Sequence, residues 1–336
     1  MSNKISSLKI AVLGDGGWGT TLALLLENKG FRVTLWGAFE DYVSYLKAKR
    51  VNTRFLPGIR LPARLNITSD LEEALENKDL IVLAVPSQYM RRVLKKIESC
   101  GYPASAMYLS VTKGIEAGSL ERMSEVIRGE LGNVRLAVLS GPTIAHEVAR
   151  GIPTTAVIAS PDRKLRRMLQ DIFMTPRLRI YTNDDVAGVE LGGSLKNVIA
   201  IACGISDGLG FGTNTKAAIL SRGLAEISRL GKKMGAKAGT FGGITGLGDL
   251  VTTCTSPYSR NRYVGERIGR GETLEKISSK MRMVAEGIVT AKSAHALSAR
   301  YRVDTPITKE VYRVLYRNKP PLRAVSDLMT RQKKEE

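Results

Sequence analysis

Three stretches of this chain carry residue types and spacings that could do chemistry. In IAVLGDGGWGTTLALLL, residues Gly14, Gly16 and Gly19 form a G-x-G-x-x-G between a strand-like run and a helix-like one. In that pattern the first glycine permits a tight turn, the second lets backbone approach a pyrophosphate, and the third lets the helix pack close with its amides toward the phosphates. The motif alone is weak, because glycine turns are also merely structural. Its position after the first strand and ahead of a second is what dinucleotide binding requires. The run GGSLKNVIAIACGISDGLGFG (192–212) holds a single lysine, Lys196, with Glu190 the nearest ionised group before it and Asp207 the nearest after it. Such a cation can lay its stem on apolar surface with the ammonium in water. It can also sit in a dry pocket, where desolvation lowers its pKa and makes it a usable proton donor or acceptor. The third stretch is SRNR (259–262), where a guanidinium fork with Ser and Asn donors would suit a phosphate dianion. The same residues could equally begin a helix, with Ser259 as cap and the arginines in water.

Reducing a carbonyl by hydride transfer needs a group that polarises the oxygen and exchanges a proton with it. The only two histidines, His146 and His295, lie outside any glycine-rich catalytic loop, and His295 falls on an alanine-rich helical face that reads as structural. Lysine is the better candidate. Lys113, in SVTKGIE, follows a strand at the sheet edge where ligands collect in open α/β folds. Placed near Lys196, its charge would help lower that lysine's pKa.

The elements that must position these groups change character along the chain. Continuous apolar runs at 8–14, 31–37, 79–86, 106–114, 135–142 and 154–160 alternate with amphipathic segments such as 88–98 and 119–130. This predicts a parallel sheet wrapped by helices. Residues 52–70, rich in Pro, Gly and polar side chains, read as an irregular excursion. Beyond about residue 185 strand runs stop, and helical patterns follow at 188–205, 214–235, 261–270, 284–300 and 305–317, separated by glycine-rich breaks. The expected organisation is an α/β fold: an N-terminal Rossmann-like dinucleotide-binding domain (1–187) and a C-terminal all-helical domain (188–336).

Composition excludes other classes. Cys100, Cys203 and Cys254 are odd in number and scattered, which argues for a reducing compartment and against a disulfide frame or a structural zinc site. The first residues show neither a long apolar region nor a cleavage site, and no run approaches the roughly 18 unbroken apolar residues of a membrane span. A cytoplasmic protein without stable membrane insertion is expected. The net charge of +19 divides as 26 basic against 19 acidic residues up to 189, and 25 against 13 thereafter. With the excess spread over both halves, aromatics sparse and the densest cluster (162–168) at helical spacing, nucleic acid is not the expected partner.

The motifs together resemble the bacterial-type NAD(P)-dependent glycerol-3-phosphate dehydrogenases over nearly the whole chain. The matching stretches are GDGGWGTTLA, VTKGIE, SGPTIAHE, ELGGSLKNVIAIACGISDGLGFGTNTKAAILSRGL, TFGGITGLGDLVTTCTSPYSRNRYVG and VAEGIVTA, in the family's order and spacing. The resemblance implies reversible reduction of dihydroxyacetone phosphate, a phosphorylated triose, to sn-glycerol 3-phosphate for phospholipids, with NAD(P)H as cofactor and a homodimer as the assembly. By position it implies that Lys196 exchanges the proton, that Lys113 touches both cofactor and substrate, and that Asp249 contacts substrate and orients the catalytic ammonium. It places Asn197, Thr253, Ser259, Arg260, Asn261, Gly141 and Thr143 on the substrate side. Gly14, Gly16, Gly17, Trp18, Gly19, Ala145, Val284, Glu286 and again Arg260 fall on the cofactor side. The chain departs from many relatives at Ala38, where an arginine can meet the 2′-phosphate of NADP, and Glu40 and Asp41 follow it. Preference between the two nicotinamides is therefore open. Dehydrogenases of hydroxy acids or of 6-phosphogluconate are the nearest rival, and the joined TKG, LKN and GDL…SRNR set speaks against them.

Overall fold

Eight strands form one sheet in the order β3-β2-β1-β4-β5-β6-β7-β8. They are β1 (Lys9–Leu13), β2 (Arg32–Trp36), β3 (Asn66–Thr68), β4 (Leu80–Leu83), β5 (Met107–Ser110), β6 (Arg135–Ser140), β7 (Thr154–Ala159) and β8 (Leu178–Asn183). The computed structural model describes residues 7–101, 103, 105–281, 284–333 and 335. The opening residues read above as lacking a leader, 1–6, lie outside them. Alternate residues of each strand feed two hydrophobic clusters: Ile10 and Val12 join Leu35 and Leu80, whereas Ala11 and Leu13 join Trp36 and Ile81. A sheet buried on both faces is why these strands read as unbroken apolar runs.

The sheet is not wholly parallel, which corrects the expectation. The strands from β3 to β6 run parallel, but β7 pairs antiparallel with β6, and β8 then runs parallel to β7. The physical reason lies in the connection. A parallel return needs a crossover that spans a strand's length, and the only helix between β6 and β7 is the five-residue Ala145–Ala149. At 1.5 Å per residue it covers about 7 Å, against about 20 Å for a six-residue strand. Two strands were also missed. β3 is three residues inside the segment read as irregular, and β8 alternates buried and exposed residues at the sheet edge.

The chain divides into two compact units, one from Met1–Lys113 with Glu121–Glu190 and one from Gly114–Leu120 with Leu191–Glu336. The short Gly114–Leu120 segment groups with the helical unit, where Ser194 Oγ donates to Gly114 O at 3.2 Å. In that unit, helix Val186–Gly208 packs backbone to backbone on helix Arg260–Gly269. A Cβ on Gly204 would stand 2.0 Å from Arg262 O, and one on Gly265 would stand 2.1 Å from Ile201 O. Gly208 and Gly269 are nearly as tight, with Cβ positions 2.3 Å from Glu266 O and 2.5 Å from Ile205 O, so a four-residue glycine spacing on both helices sets their approach. Arg262 Nε clamps the pair by donating to Asp207 Oδ2 at 2.7 Å. Helix Val186–Gly208 is long and apolar enough to cross a membrane by length and composition, yet 83% of that stretch is buried within the protein. Its apolar character is that of a core helix.

Candidate active site

In the first unit the three glycines of the motif differ in what confines them. Gly14 has φ +124°, and a Cβ there would strike Ala84 O at 2.7 Å. Gly19 would strike Gly14 O at 2.0 Å, so it fixes how closely helix Gly17–Asn28 follows β1. A Cβ on Gly16, by contrast, would meet nothing within 4 Å. No protein atom demands glycine at 16, and the open space beside the first-turn amides is what a pyrophosphate needs. The loop therefore fits a dinucleotide. Ala145 closes beside it: its Cβ lies 3.6 Å from where a Gly17 Cβ would be, and its carbonyl accepts from Thr21 Oγ1 at 3.1 Å. Trp18 Nε1 is buried with no acceptor among the described residues.

Two residues that the sequence did not single out lock this loop. Asn52 donates through Nδ2 to Asp15 O and to Thr20 Oγ1, both at 2.8 Å, and its Oδ1 accepts from Tyr42 at 2.7 Å. It comes from the excursion read as irregular, whose ordering depends on these long-range bonds and leaves no local signature. Asp15 itself packs its Oδ2 against Gly37, just past β2, where that oxygen is buried without a hydrogen-bond partner among the described residues. Burial pushes its pKa up to about 6, with the nearby Arg54 guanidinium acting in the opposite sense. Farther along the same unit, Lys113 Nζ donates to Gly141 O at 2.7 Å and to Thr143 Oγ1 at 3.2 Å, so three expected site residues meet.

The second unit answers the question Lys196 raised. Its ammonium does not reach water: the residue is 5% exposed and Asp249 is 1% exposed. Lys196 Nζ forms a short salt bridge to Asp249 Oδ1 and donates to Thr253 Oγ1 at 2.6 Å. Thr253 in turn donates to Asp249 O at 2.6 Å, which fixes the direction of its hydroxyl. The partner carboxylate arrives from a glycine-rich stretch that sequence reading treated as a break between helices. There Ile244–Gly248 is a π-helical turn leading straight into helix Asp249–Thr255. Gly246 and Gly192 permit that turn, since Cβ atoms would lie 1.9 Å from Phe241 O and 2.6 Å from Thr245 O respectively. Each charge offsets the cost of burying the other, so the pair persists in a dry setting.

In the same unit, Asn261 Nδ2 donates to Asn197 Oδ1 at 2.9 Å, and Asn261 Oδ1 accepts from Gly287 N at 2.9 Å. Ser259 is the N-cap of helix Arg260–Gly269, accepting from Arg262 N at 3.3 Å, so the helix-start reading of SRNR holds for this residue. Arg260 is exposed and donates through Nη1 to Val284 O at 2.7 Å, with Glu286 near enough to attract its charge. His295 is stacked on Tyr312 with ring centroids 4.1 Å apart. Burial, followed by Lys309, Arg313 and Arg317, holds its pKa down. Among the described residues, close approach or hydrogen bonds join Gly17 with Ala145, Lys113 with Gly141 and Thr143, Lys196 with Asp249 and Thr253, Asn197 with Asn261, and Arg260 with Val284.

A glycine loop on a mostly parallel sheet, followed by a helical unit with a buried lysine–carboxylate pair, defines a dinucleotide-fold oxidoreductase. The comparisons then narrow the class. The family model described as NAD-dependent glycerol-3-phosphate dehydrogenase N-terminus matches residues 9–166, and the C-terminus model matches 185–326. A glycerol-3-phosphate dehydrogenase (NAD(P)+) of Geobacter metallireducens is 51% identical over 331 residues, covering 98% of each chain. The enzyme of the same name from Syntrophomonas wolfei is 50% identical over 331 residues, covering 98% of this chain and 96% of its own. The crystal structure of glycerol-3-phosphate dehydrogenase from Coxiella burnetii superposes with a TM-score of 0.94 at 40% identity, covering 97% of this chain and 100% of its own. The chain belongs to the NAD-dependent glycerol-3-phosphate dehydrogenase family.

Proposed function

We propose that this protein reduces dihydroxyacetone phosphate reversibly to sn-glycerol 3-phosphate, the backbone of phospholipids, using NADH or NADPH. One observation carries the reading: a lysine ammonium buried in an apolar helix and held by Asp249 and Thr253. When bound, the reduced nicotinamide supplies the hydride to C2 of the ketone. Lys196 gives a proton to the C2 oxygen as negative charge develops there, and takes it back in the reverse direction. Asp249 aims the ammonium and Thr253 fixes its approach. We assign Lys113 to contact with both substrate and cofactor, and Gly141 and Thr143 to the substrate side. Ser259, Arg260 and Asn261 are assigned to the substrate phosphate, where charge-assisted donors suit a dianion, and Asn197 with Thr253 to the same substrate neighbourhood. Gly14, Gly16, Gly17, Trp18, Gly19 and Ala145 are assigned to the dinucleotide, together with Val284, Glu286 and the second role of Arg260.

Dual use of the cofactors with a lean toward NADH fits Ala38, followed by Glu40 and Asp41: position 38 itself offers a 2′-phosphate no cation, and two carboxylates follow it in sequence. We further read the protein as a cytoplasmic homodimer, on the family likeness and the scattered cysteines. The test is the loss of reduced-nicotinamide absorbance on adding dihydroxyacetone phosphate to the purified protein. Saturable oxidation is expected with the phosphorylated ketone and very little with dihydroxyacetone; no oxidation with either cofactor would overturn the proposal.

A further inference from the structure

The amino-terminal ends of the central strands carry cations that the proposed chemistry does not use. Lys9 opens β1 and Arg32 opens β2, and the two are register partners in the parallel ladder. Side chains alternate along a strand, so Lys9 shares its face with Ala11 and Leu13, and Arg32 shares its face with Trp36. Those three apolar residues belong to one cluster, which puts both cations on the same side of the sheet. Like charges facing each other across neighbouring strands repel. A third cation joins them: Lys78, two residues ahead of β4, donates through Nζ to Thr34 Oγ1 at 3.0 Å. With Arg64 they line a cleft of about 320 Å³, and none of the described residues lining it is acidic. That volume falls in the range of small-molecule clefts, roughly 300–1,000 Å³. The carboxylates nearby are engaged elsewhere. Glu27 takes Arg64 in a short salt bridge, and Asp79 Oδ2 accepts from the Lys9 backbone amide at 2.8 Å. Glu73 accepts from Asn66 Nδ2 at 2.8 Å and from Thr68 Oγ1 at 2.6 Å. Among the described residues, Lys9, Arg32 and Lys78 form no salt bridge. Burial and the charge of Lys9 hold the Lys78 ammonium below the usual lysine range, against the pull of Glu73 and Glu76.

We infer that this cleft is an anion site, separate from the glycine loop, that takes a phosphate group between Lys9, Arg32 and Lys78. Topology sets it apart: dinucleotides bind outside the carboxyl ends of the strands, and these cations stand at the amino ends. Charge favours a phosphate over a smaller anion. A dianion neutralises two of the three cations, whereas a monoanion leaves two unmatched, and the guanidinium fork of Arg32 suits phosphate oxygens. The phosphate can belong to a soluble small molecule or to a lipid headgroup, and the same cations serve either.

Calorimetric titration of the full-length protein with inorganic diphosphate, at constant ionic strength, tests the site. Binding is expected, and the double variant Arg32→Gln/Lys78→Gln should weaken it roughly tenfold to a hundredfold, the loss expected for charge-assisted bonds. Turnover of dihydroxyacetone phosphate should be unchanged in that variant, which reports that it folds. Arg260→Ala, which alters the proposed site for the substrate phosphate, should leave diphosphate binding at the cleft intact. Vesicles of phosphatidylglycerol, with phosphatidylcholine vesicles as control, separate the two sources. Retention on phosphatidylglycerol that the double variant loses assigns a lipid headgroup; diphosphate binding without retention assigns a soluble ligand. Without any anion, Arg32→Gln alone should melt above the unmodified protein, because it removes one of two facing charges. No binding of either probe overturns the site, as does diphosphate affinity that survives Arg32→Gln/Lys78→Gln and is lost in Arg260→Ala instead. A lower melting temperature for Arg32→Gln shows its charge to be satisfied within the protein and overturns the inference from that side.

Discussion

Replacing Lys196 by Met removes one charge of a buried pair and strands the other. The side chains of Lys196 and Asp249 are 6% and 1% exposed, so neither charge is screened by solvent. Removing one partner of such a pair costs about 3–5 kcal/mol, because the remaining ion must stay desolvated or take up a proton. The same substitution removes the proposed proton donor, for which a loss in kcat of roughly 10²–10⁴ is expected. The two effects separate in the double variant Lys196→Met/Asp249→Asn, where no charge is left uncompensated. Urea denaturation should place Lys196→Met about 3–5 kcal/mol below the unmodified protein, with the double variant recovering most of that deficit. Turnover should remain low in both variants. Near-normal kcat in either would remove Lys196 from the chemistry, and a double variant no more stable than the single would refute the buried-pair account.

Further expectations follow from individual groups. Arg260→Ala should raise KM for dihydroxyacetone phosphate strongly, and KM for the nicotinamide cofactor too if the residue serves both; unchanged values would leave the phosphate without this anchor. Ala38→Arg should move the kcat/KM ratio toward NADPH, and high salt should shrink the difference, since an exposed pair is worth only about 1 kcal/mol; a hundredfold NADPH preference in the unmodified enzyme would contradict the neutral-site argument. For Asp15, the native pKa of about 6 lies above the ordinary 3.8, so the fold favours the protonated carboxyl. Its contribution is therefore fully present below about pH 4 and is lost as pH rises through about 6, amounting to about 3 kcal/mol. Asp15→Asn should be more stable than the unmodified protein above that range and flatten stability against pH; an unaltered pH profile would exclude the group.

The glycine motif, the six apolar strand runs and the helical second half are visible in sequence because each rests on local periodicity or on a turn that only glycine makes. The start of the helix bearing Arg260 and Asn261 is likewise local, since Ser259 caps it from within the same four residues. The identity of Lys196 as a candidate was also there, as a cation where none was expected, but its environment was not. Whether that ammonium faces water or a carboxylate depends on Asp249, which lies 53 residues away and arrives through a π-turn that two close-packed glycines permit. The reversal at β7 escaped for a related reason: strand direction is set by how far a connection reaches, and apolar patterning reads the same both ways. Asn52 shows the limit most plainly. Nothing in its neighbourhood marks it, yet it fixes the glycine loop from 37 residues away, because hydrogen bonds between remote segments exist only once the chain has folded.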